Sequence, residues 1–99
     1  MNSLIVKYKK PDSVDDFMTA YQESHLPKMQ QLKELVSATY YLLDSDEDEF
    51  LMCIANFETS EALESALGSD IGHALAAEAE QLATRGLSIS TATTYEVLK

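Results

Sequence analysis

The sequence has few basic residues. Its 99 residues include 7 Lys and Arg against 17 Asp and Glu, which gives a formal net charge of −10 at pH 7. A surface with this charge repels phosphate groups, so neither nucleic acid nor an anionic membrane is expected as a partner. No stretch approaches the roughly 20 apolar residues of a membrane span, and the start lacks a basic region followed by an apolar run. We therefore expect a cytoplasmic protein.

The sequence also has one cysteine and no tryptophan. Cys53 cannot form an internal disulfide, and because it lies in the apolar run 50–54 we expect a buried, unreactive thiol. No histidines, cysteines and carboxylates have metal-ligand spacing, and there is no glycine-rich phosphate loop, so no metal and no cofactor are expected. The acidic run 44–49 lacks the glycine and the final glutamate of a calcium loop, so we interpret it as a solvated turn.

The length of the chain predicts a single domain over residues 1–99. Alternation of apolar and polar residues predicts a strand at 4–10 and another at 87–98, and apolar runs predict strands at 36–43 and 50–57. The acidic turn joins the middle two as an antiparallel hairpin, and the third strand is apolar on both faces, which is typical of a central strand.

Two helical regions separate these strands. The first is predicted to begin after a cap at residue 12 or 13 and to be interrupted at Pro27, with one or two further turns before the second strand. The second begins after Thr59 or Ser60, breaks at Gly68, restarts at residues 69–70 and ends at Gly86.

The order of these elements predicts a ferredoxin-like βαββαβ fold of the α+β class, with both helices on one face of a four-stranded antiparallel sheet. The other face of the sheet is too apolar to be left in water. We therefore predict that it pairs with the sheet of a second subunit.

The stretch 13–27 contains the best candidate for acid–base chemistry. Phe17, Tyr21 and His25 are four residues apart, so they share one side of a helix. Pro27 disfavours helical geometry before it, so His25 is predicted at a break, where it can point into a pocket. An imidazole titrates near ~6.5 and can act as a general acid or base. The alternative is that His25 only caps the broken helix with a hydrogen bond.

Other residues can complete a pocket around His25. A hydroxyl from Tyr8 or Tyr40 can hydrogen-bond an oxyanion that develops during proton transfer. Phe17 and Tyr21 can line the pocket, and His73, near the restart of the second helix, can approach its rim. The simpler interpretation is that the aromatic residues are core or interface residues and that His73 is an exposed helix histidine.

Several of these motifs resemble the EthD-like branch of the dimeric α+β barrel proteins. They are the strand end and proline turn at residues 8–12, the residues Phe17, Tyr21 and His25-Leu26-Pro27, and the strand-to-helix passage at residues 57–63. The resemblance implies a homodimer whose sheets together form a barrel, with a small pocket between sheet and helices in each subunit. Ala20 and Lys28 depart from the family pattern.

Relatives in this superfamily include cofactor-independent monooxygenases, polyketide cyclases, lactone isomerases and haem-handling enzymes. The resemblance therefore implies a small cofactor-independent enzyme acting on an aromatic or polyketide-like molecule, as a cyclase, isomerase or monooxygenase, with His25 as general base or acid. The alternative is a non-catalytic dimeric binding or accessory protein that holds a hydrophobic small ligand. A catalytic His25 should be coupled to another polar group beside an open cavity, whereas a structural one should bond only to backbone.

Overall fold

Four antiparallel strands form one sheet, and all helices pack on one of its faces. The computed structural model describes residues 1–44 and 48–98. The strands are β1 (Asn2–Lys9), β2 (Leu35–Leu42), β3 (Glu49–Phe57) and β4 (Leu87–Thr93), in the spatial order β2-β3-β1-β4. The helical elements are α1 (Val14–Ala20), a π-helical segment (Tyr21–His25), α2 (Leu26–Met29), α3 (Ser60–Gly68) and α4 (Asp70–Leu82). The predicted ferredoxin-like α+β fold is confirmed.

Three of the helices begin at side-chain caps. In each case a hydroxyl oxygen accepts a hydrogen bond from a backbone N–H of the first turn, which has no partner within the helix. The pairs are Ser13 with the Asp16 N–H, Thr59 with the Ala62 N–H and Ser69 with the Gly72 N–H, at 3.3, 3.1 and 3.0 Å. The helix starts predicted from the sequence are therefore confirmed, as is the break after Gly68.

The core lies between the sheet and the helices. β3 pairs with both β1 and β2, so its predicted central position is confirmed. Alternate residues of β3 from Leu51 to Phe57 are buried against the helices, whereas the residues between them are only half-buried. The buried helix residues that meet them include Phe17, Tyr21 and Leu63. This packing places the side chains of the first helical region over β1 and β3.

The prediction that the helix breaks at Pro27 is wrong: the proline changes the type of helical turn but does not end the helix. The chain stays helical through Pro27 as far as Met29. In place of a break, the Leu26 N–H donates to the Tyr21 carbonyl five residues earlier, which is a π-helical hydrogen bond. A proline ring collides with the carbonyl four residues before it, and a wider turn relieves that collision.

The second helical region ends before Gly86. Its last helical residue is Leu82, and Gly86 lies in the turn that follows, with a φ of 107° and its N–H donating to the Ala83 carbonyl at 3.0 Å. Glycine suits this turn because it adopts a positive φ without steric cost. Arg85, just before this glycine, forms an ion pair with Asp12 at 3.0 Å.

The last strand is shorter than predicted. β4 pairs with β1 from Leu87 to Thr93, and the pairing stops where β1 begins, because Asn2 is the partner of Thr93. Beyond that point the Thr94 N–H donates to the Met1 carbonyl, and the side chains of Tyr95 and Val97 are exposed. Of the predicted acidic turn, residues 45–47 lie outside the described residues.

The sheet face opposite the helices is poor in charge. Its centre consists of the half-buried side chains of Ile5, Met52 and Ile54, with the exposed ring of Tyr41 beside them. Serine and threonine side chains of β2 and β4 flank this centre. Among the described strand residues on this face, up to the β-bulge that follows Tyr8, Lys7 is the only charged one, although 24% of the chain is charged. Within the described ranges, no helix is long and apolar enough to cross a membrane.

The close contact between α3 and α4 predicts that two glycines differ sharply in how well they tolerate replacement by alanine. A Cβ atom at Gly72 would overlap the Ala66 carbonyl and lie 2.9 Å from the Leu67 carbonyl oxygen, whereas one at Gly68 would meet nothing within 4 Å. We expect Gly72→Ala to lower the free energy of unfolding by about 2 kcal/mol. Gly68→Ala, the matched control, should leave it unchanged or raise it by up to ~1 kcal/mol. Urea denaturation of both variants measures the difference, and equal values would contradict the close packing.

Candidate functional site

A cavity of about 110 Å³ lies between the sheet and the helices. Its walls come from β1, β3, β4 and the inner sides of the helices, and they are almost entirely apolar. The polar groups on its walls belong to Tyr8, Tyr21, His25 and Cys53. The cavity therefore contains one side chain that exchanges protons near neutral pH.

His25 is 6% exposed and belongs to the π-helical segment. Its Nδ1 lies 2.9 Å from Oε1 of Glu78, which comes from α4 on the other side of the site. An ionised carboxylate only accepts hydrogen bonds, so Nδ1 carries the proton and donates a hydrogen bond to Glu78. The lone pair of the neutral ring is therefore on Nε2. The His25 ring also stacks on Tyr21, with centroids 5.3 Å apart.

Two further donors hold Glu78. The Ser24 hydroxyl donates to Oε2 at 2.6 Å, and the Lys28 ammonium lies 2.7 Å from the same oxygen. Burial alone would raise the pKa of Glu78, but the hydrogen bonds from Lys28, Ser24 and His25 outweigh it and lower the pKa to about 2. Glu78 is therefore a fixed negative charge beside His25 at every pH at which the protein is expected to work.

The pKa of His25 is lowered from its ordinary value. Burial is the main cause, because it disfavours the charged imidazolium. The hydrogen bond and the negative charge of Glu78 offset part of this effect, while the positive charge of Lys28 adds to it. The ring is consequently neutral at pH 7 and able to accept a proton at Nε2.

Aromatic rings fix the position of Tyr21 and, through it, of His25. Phe17 stacks on Tyr21 at 5.6 Å, while Tyr8 and Tyr40 meet Tyr21 edge-on at 6.0 and 5.3 Å. Offset stacks and edge contacts are the favourable arrangements of aromatic pairs. Burial raises the pKa of the Tyr8 hydroxyl well above its usual range, so this group is a neutral hydrogen-bond donor.

The structure brings some of the predicted site residues together and leaves others apart. Tyr8, Tyr21 and His25 line the cavity. Phe17 lies behind Tyr21, and His73 is exposed on α4, away from the cavity. Tyr40 packs on Tyr21 but does not line the cavity, and its hydroxyl accepts a hydrogen bond from Gln22 at 3.3 Å near the surface.

Sequence reasoning missed Glu78, Ser24 and the role of Lys28. Glu78 lies in an alanine- and glutamate-rich stretch of α4, where it has the pattern of an ordinary exposed acid. The one available signal was the spacing of Ser24 and Lys28, which lie four residues apart and therefore on one side of a helix. Cys53 is buried as predicted, and burial raises the pKa of its thiol. In the part of the chain that is described, no three His, Cys, Asp or Glu side chains form a metal-binding cluster.

The fold matches several solved structures along nearly their whole length. An EthD family protein from Bacillus halodurans superposes with a TM-score of 0.90 at 22% sequence identity, covering 96% of this chain and 99% of that one. The chain has the fold of the EthD family. The resemblance predicted from the sequence is thus confirmed for the fold.

Two further structures share the EthD-like fold. A mutant form of SnoaB, a cofactor-independent oxygenase from Streptomyces nogalater, gives a TM-score of 0.78 at 14% identity, covering 98% of this chain and 95% of that one. An antibiotic biosynthesis monooxygenase gives 0.70 at 14% identity, covering 97% and 100%. No family model and no curated protein matches the sequence.

The lowered pKa of His25 predicts a pH dependence of stability. The unfolded chain takes up a proton on this residue near pH 6.5, whereas the folded protein does so only at lower pH. The stabilisation is therefore fully present above pH 6.5 and is lost as the pH falls towards the folded-state pKa. We expect the free energy of unfolding of the wild type to decrease from pH 7.5 to 5.5 more steeply than that of His25→Gln. Parallel curves in urea denaturation would show that the pKa is not lowered.

Proposed function

We propose that this protein is a small enzyme that transfers a proton to or from an aromatic or polyketide-like molecule bound in the cavity, with no cofactor. The reaction is of the cyclase, isomerase or monooxygenase type. The observation that carries the proposal is a neutral His25, held by Glu78 through Nδ1, in the wall of an apolar cavity. SnoaB, which has the same fold, is a cofactor-independent oxygenase, so the fold is compatible with chemistry of this kind.

His25 acts as the general base in this proposal. Its Nε2 accepts a proton from an acidic C–H or O–H group of the ligand, and the ring becomes an imidazolium. Glu78, which is already ionised and 2.9 Å away, stabilises the new positive charge without any rearrangement. The same ring returns the proton later as a general acid. This role of Glu78 corresponds to the carboxylate that orients and stabilises a catalytic histidine in hydrolases.

The negative charge that the ligand acquires also needs a partner. Tyr8 lines the cavity and its hydroxyl is a neutral donor, so it is the residue that we propose for hydrogen bonding to the oxyanion. Tyr40 was the other candidate, but its hydroxyl faces Gln22. Tyr8 is therefore the stronger choice of the two.

A binding or accessory protein is the second candidate function. It is favoured by the walls of the cavity, whose surface is almost entirely apolar and suits the retention of a hydrophobic molecule. Such a protein has no need of a proton acceptor. Only the enzyme should accelerate the exchange of the acidic protons of a bound ketone, so this exchange distinguishes the two functions.

Deuterium exchange tests the base without knowledge of the natural substrate. In D₂O, the wild type should accelerate exchange at the benzylic carbon of phenylacetone, followed by proton NMR. His25→Asn should lower this acceleration by about 10²-fold or more, since general-base catalysis contributes ~10²–10⁴-fold. Its melting temperature should stay within a few degrees of the wild type. His73→Asn, which alters the exposed histidine of α4, is the matched control and should exchange at the wild-type rate.

If the wild type and His25→Asn exchanged at the same rate, His25 would not be the base.

Glu78→Gln separates the electrostatic role of Glu78 from its packing, because glutamine keeps the size and one acceptor oxygen but loses the charge. We expect a lower exchange rate and a pH profile shifted to lower pH, since the negative charge of Glu78 raises the pKa of His25. An unchanged pH profile would contradict the electrostatic role of Glu78.

We also propose that the protein is a homodimer that pairs through the sheet face opposite the helices. Two copies with a charge of −10 repel each other, so contact is favoured at a face with few charges. The apolar centre around Ile5, Met52 and Ile54, flanked by serine and threonine, is such a face. Pairing there leaves the cavity, on the other side of the sheet, intact.

Light scattering at micromolar concentration should give twice the chain mass of 11.0 kDa. Ile54→Lys places a charge in the centre of the proposed interface and should shift the protein to the mass of one chain. Gln81→Lys adds the same charge on the exposed side of α4 and should remain dimeric. A wild-type mass of one chain would refute the dimer.

A further inference from the structure

The Tyr21 hydroxyl is a buried polar group without a hydrogen-bond partner among the described residues. The residue is 1% exposed and lines the cavity. The Cys53 thiol also lines the cavity and interacts with this hydroxyl, but a thiol is only a weak hydrogen-bond partner. A buried hydroxyl that has given up water without gaining another partner destabilises the protein.

The protonation states of the site limit what this hydroxyl can bind. Burial, with a smaller contribution from Cys53, raises the pKa of Tyr21 far above its usual range, so the hydroxyl stays protonated and offers a hydrogen. His25 is neutral because burial lowers its pKa. The cavity walls therefore carry no full positive charge, and an anionic ligand would lose its hydration without compensation. The complementary ligand group is an uncharged acceptor oxygen.

The volume of the cavity limits the size of the buried part. An engineered protein cavity of about 150 Å³ with apolar walls accommodates benzene. The cavity here, of about 110 Å³, is smaller than that, so it can enclose at most one six-membered ring and not two fused rings. Two lining residues, Leu67 and Ile89, are 42% and 55% exposed, so the cavity opens between the end of α3 and β4. A substituent on the ring can pass through this opening to solvent.

We propose that the cavity binds an uncharged ligand whose buried part is a single six-membered ring with a carbonyl oxygen, and that the Tyr21 hydroxyl donates to that oxygen while the ligand is uncharged. The hydrogen bond from Tyr8 then forms only with the oxyanion of the proposed reaction. This rests on the proposed function, in that it takes the cavity beside His25 as the binding site, and it names the substrate class of that site. Tyr21 is then the residue that selects an oxygenated ring over a hydrocarbon. Two fused rings are too large to be buried together in the cavity.

Three probes test the ring size and the oxygen separately. Acetophenone has one ring and a carbonyl, isopropylbenzene has nearly the same shape without the oxygen, and 2-acetylnaphthalene adds a fused ring. Titrations followed by methyl NMR of the intact protein should show shifts at cavity residues such as Met29 and Leu75. We expect acetophenone to bind about five-fold or more tightly than isopropylbenzene. We expect 2-acetylnaphthalene to bind more weakly than acetophenone.

The variant Tyr21→Phe removes only the hydroxyl. It should bind acetophenone and isopropylbenzene equally, while its resistance to urea should equal or exceed that of the wild type, because the unpaired group is gone. Tyr95→Phe, at an 82% exposed position after β4, is the matched control and should keep the wild-type preference. If Tyr21→Phe still bound acetophenone more tightly than isopropylbenzene, another residue would be the donor to the carbonyl oxygen, and the proposal would be wrong.

The three wild-type titrations test the proposal even if Tyr21→Phe does not fold. Equal affinity for acetophenone and isopropylbenzene would contradict the proposed hydrogen bond. Tighter binding of 2-acetylnaphthalene at the same residues would contradict the limit to a single ring. Binding of acetophenone without deuterium exchange of phenylacetone would contradict the base role of His25 and leave this proposal intact. Exchange without the expected binding order would overturn the proposed ligand class and leave the base role intact.

Discussion

The Glu78 carboxylate on α4 accepts hydrogen bonds from three side chains of the facing helix, those of Ser24, His25 and Lys28. Burying a carboxylate is unfavourable unless its oxygens are paired, and three donors satisfy that requirement here. The same bonds tie the first helical region to α4 across the cavity. They also decide which nitrogen of His25 carries the proton. The position, the tautomer and the electrostatic surroundings of His25 thus depend on a single ionised group.

The π-helical segment allows three donors to converge on that group. Its widened turn, closed by the bond from the Leu26 N–H to the Tyr21 carbonyl, absorbs the steric demand of Pro27 without ending the helix. Because the helix continues, Lys28 stays on the same side as Ser24 and reaches Glu78. A true break at Pro27 would have released Lys28 from this side, and Glu78 would have lost its cation. Single π-helical turns of this kind are frequent at functional sites.

Local features of the sequence predicted much of the fold, because they act within a few residues. The caps at Ser13, Thr59 and Ser69 and the break at Gly68 depend on neighbouring backbone groups alone. The predicted length of β4 was too great, because the strand ends where its partner β1 begins, some ninety residues earlier in the chain.

The candidate site was predictable only in part, for the same physical reason. The spacing of Phe17, Tyr21 and His25 placed them on one side of a helix, and all three are buried as that spacing predicts. Glu78 carries no comparable signal, since an acid in a helix of alanines is ordinarily exposed. Its partner His25 lies 53 residues away, and only the packing of α4 against the first helical region brings the two together.

The site also lowers the stability of the fold, and this supports the proposal that it binds a ligand. Small residues at Ala55, Ala66 and Ala79 leave the cavity open, and an empty cavity of this volume destabilises a protein by on the order of 2 kcal/mol. The unpaired Tyr21 hydroxyl adds roughly 1–3 kcal/mol at the same place. Larger apolar side chains at the alanines would fill the cavity, and phenylalanine at Tyr21 would remove the hydroxyl, so neither feature is needed to bury apolar surface. Features that lower stability without serving the packing are expected where a protein binds or reacts, and here both lie beside the one buried histidine of the described chain.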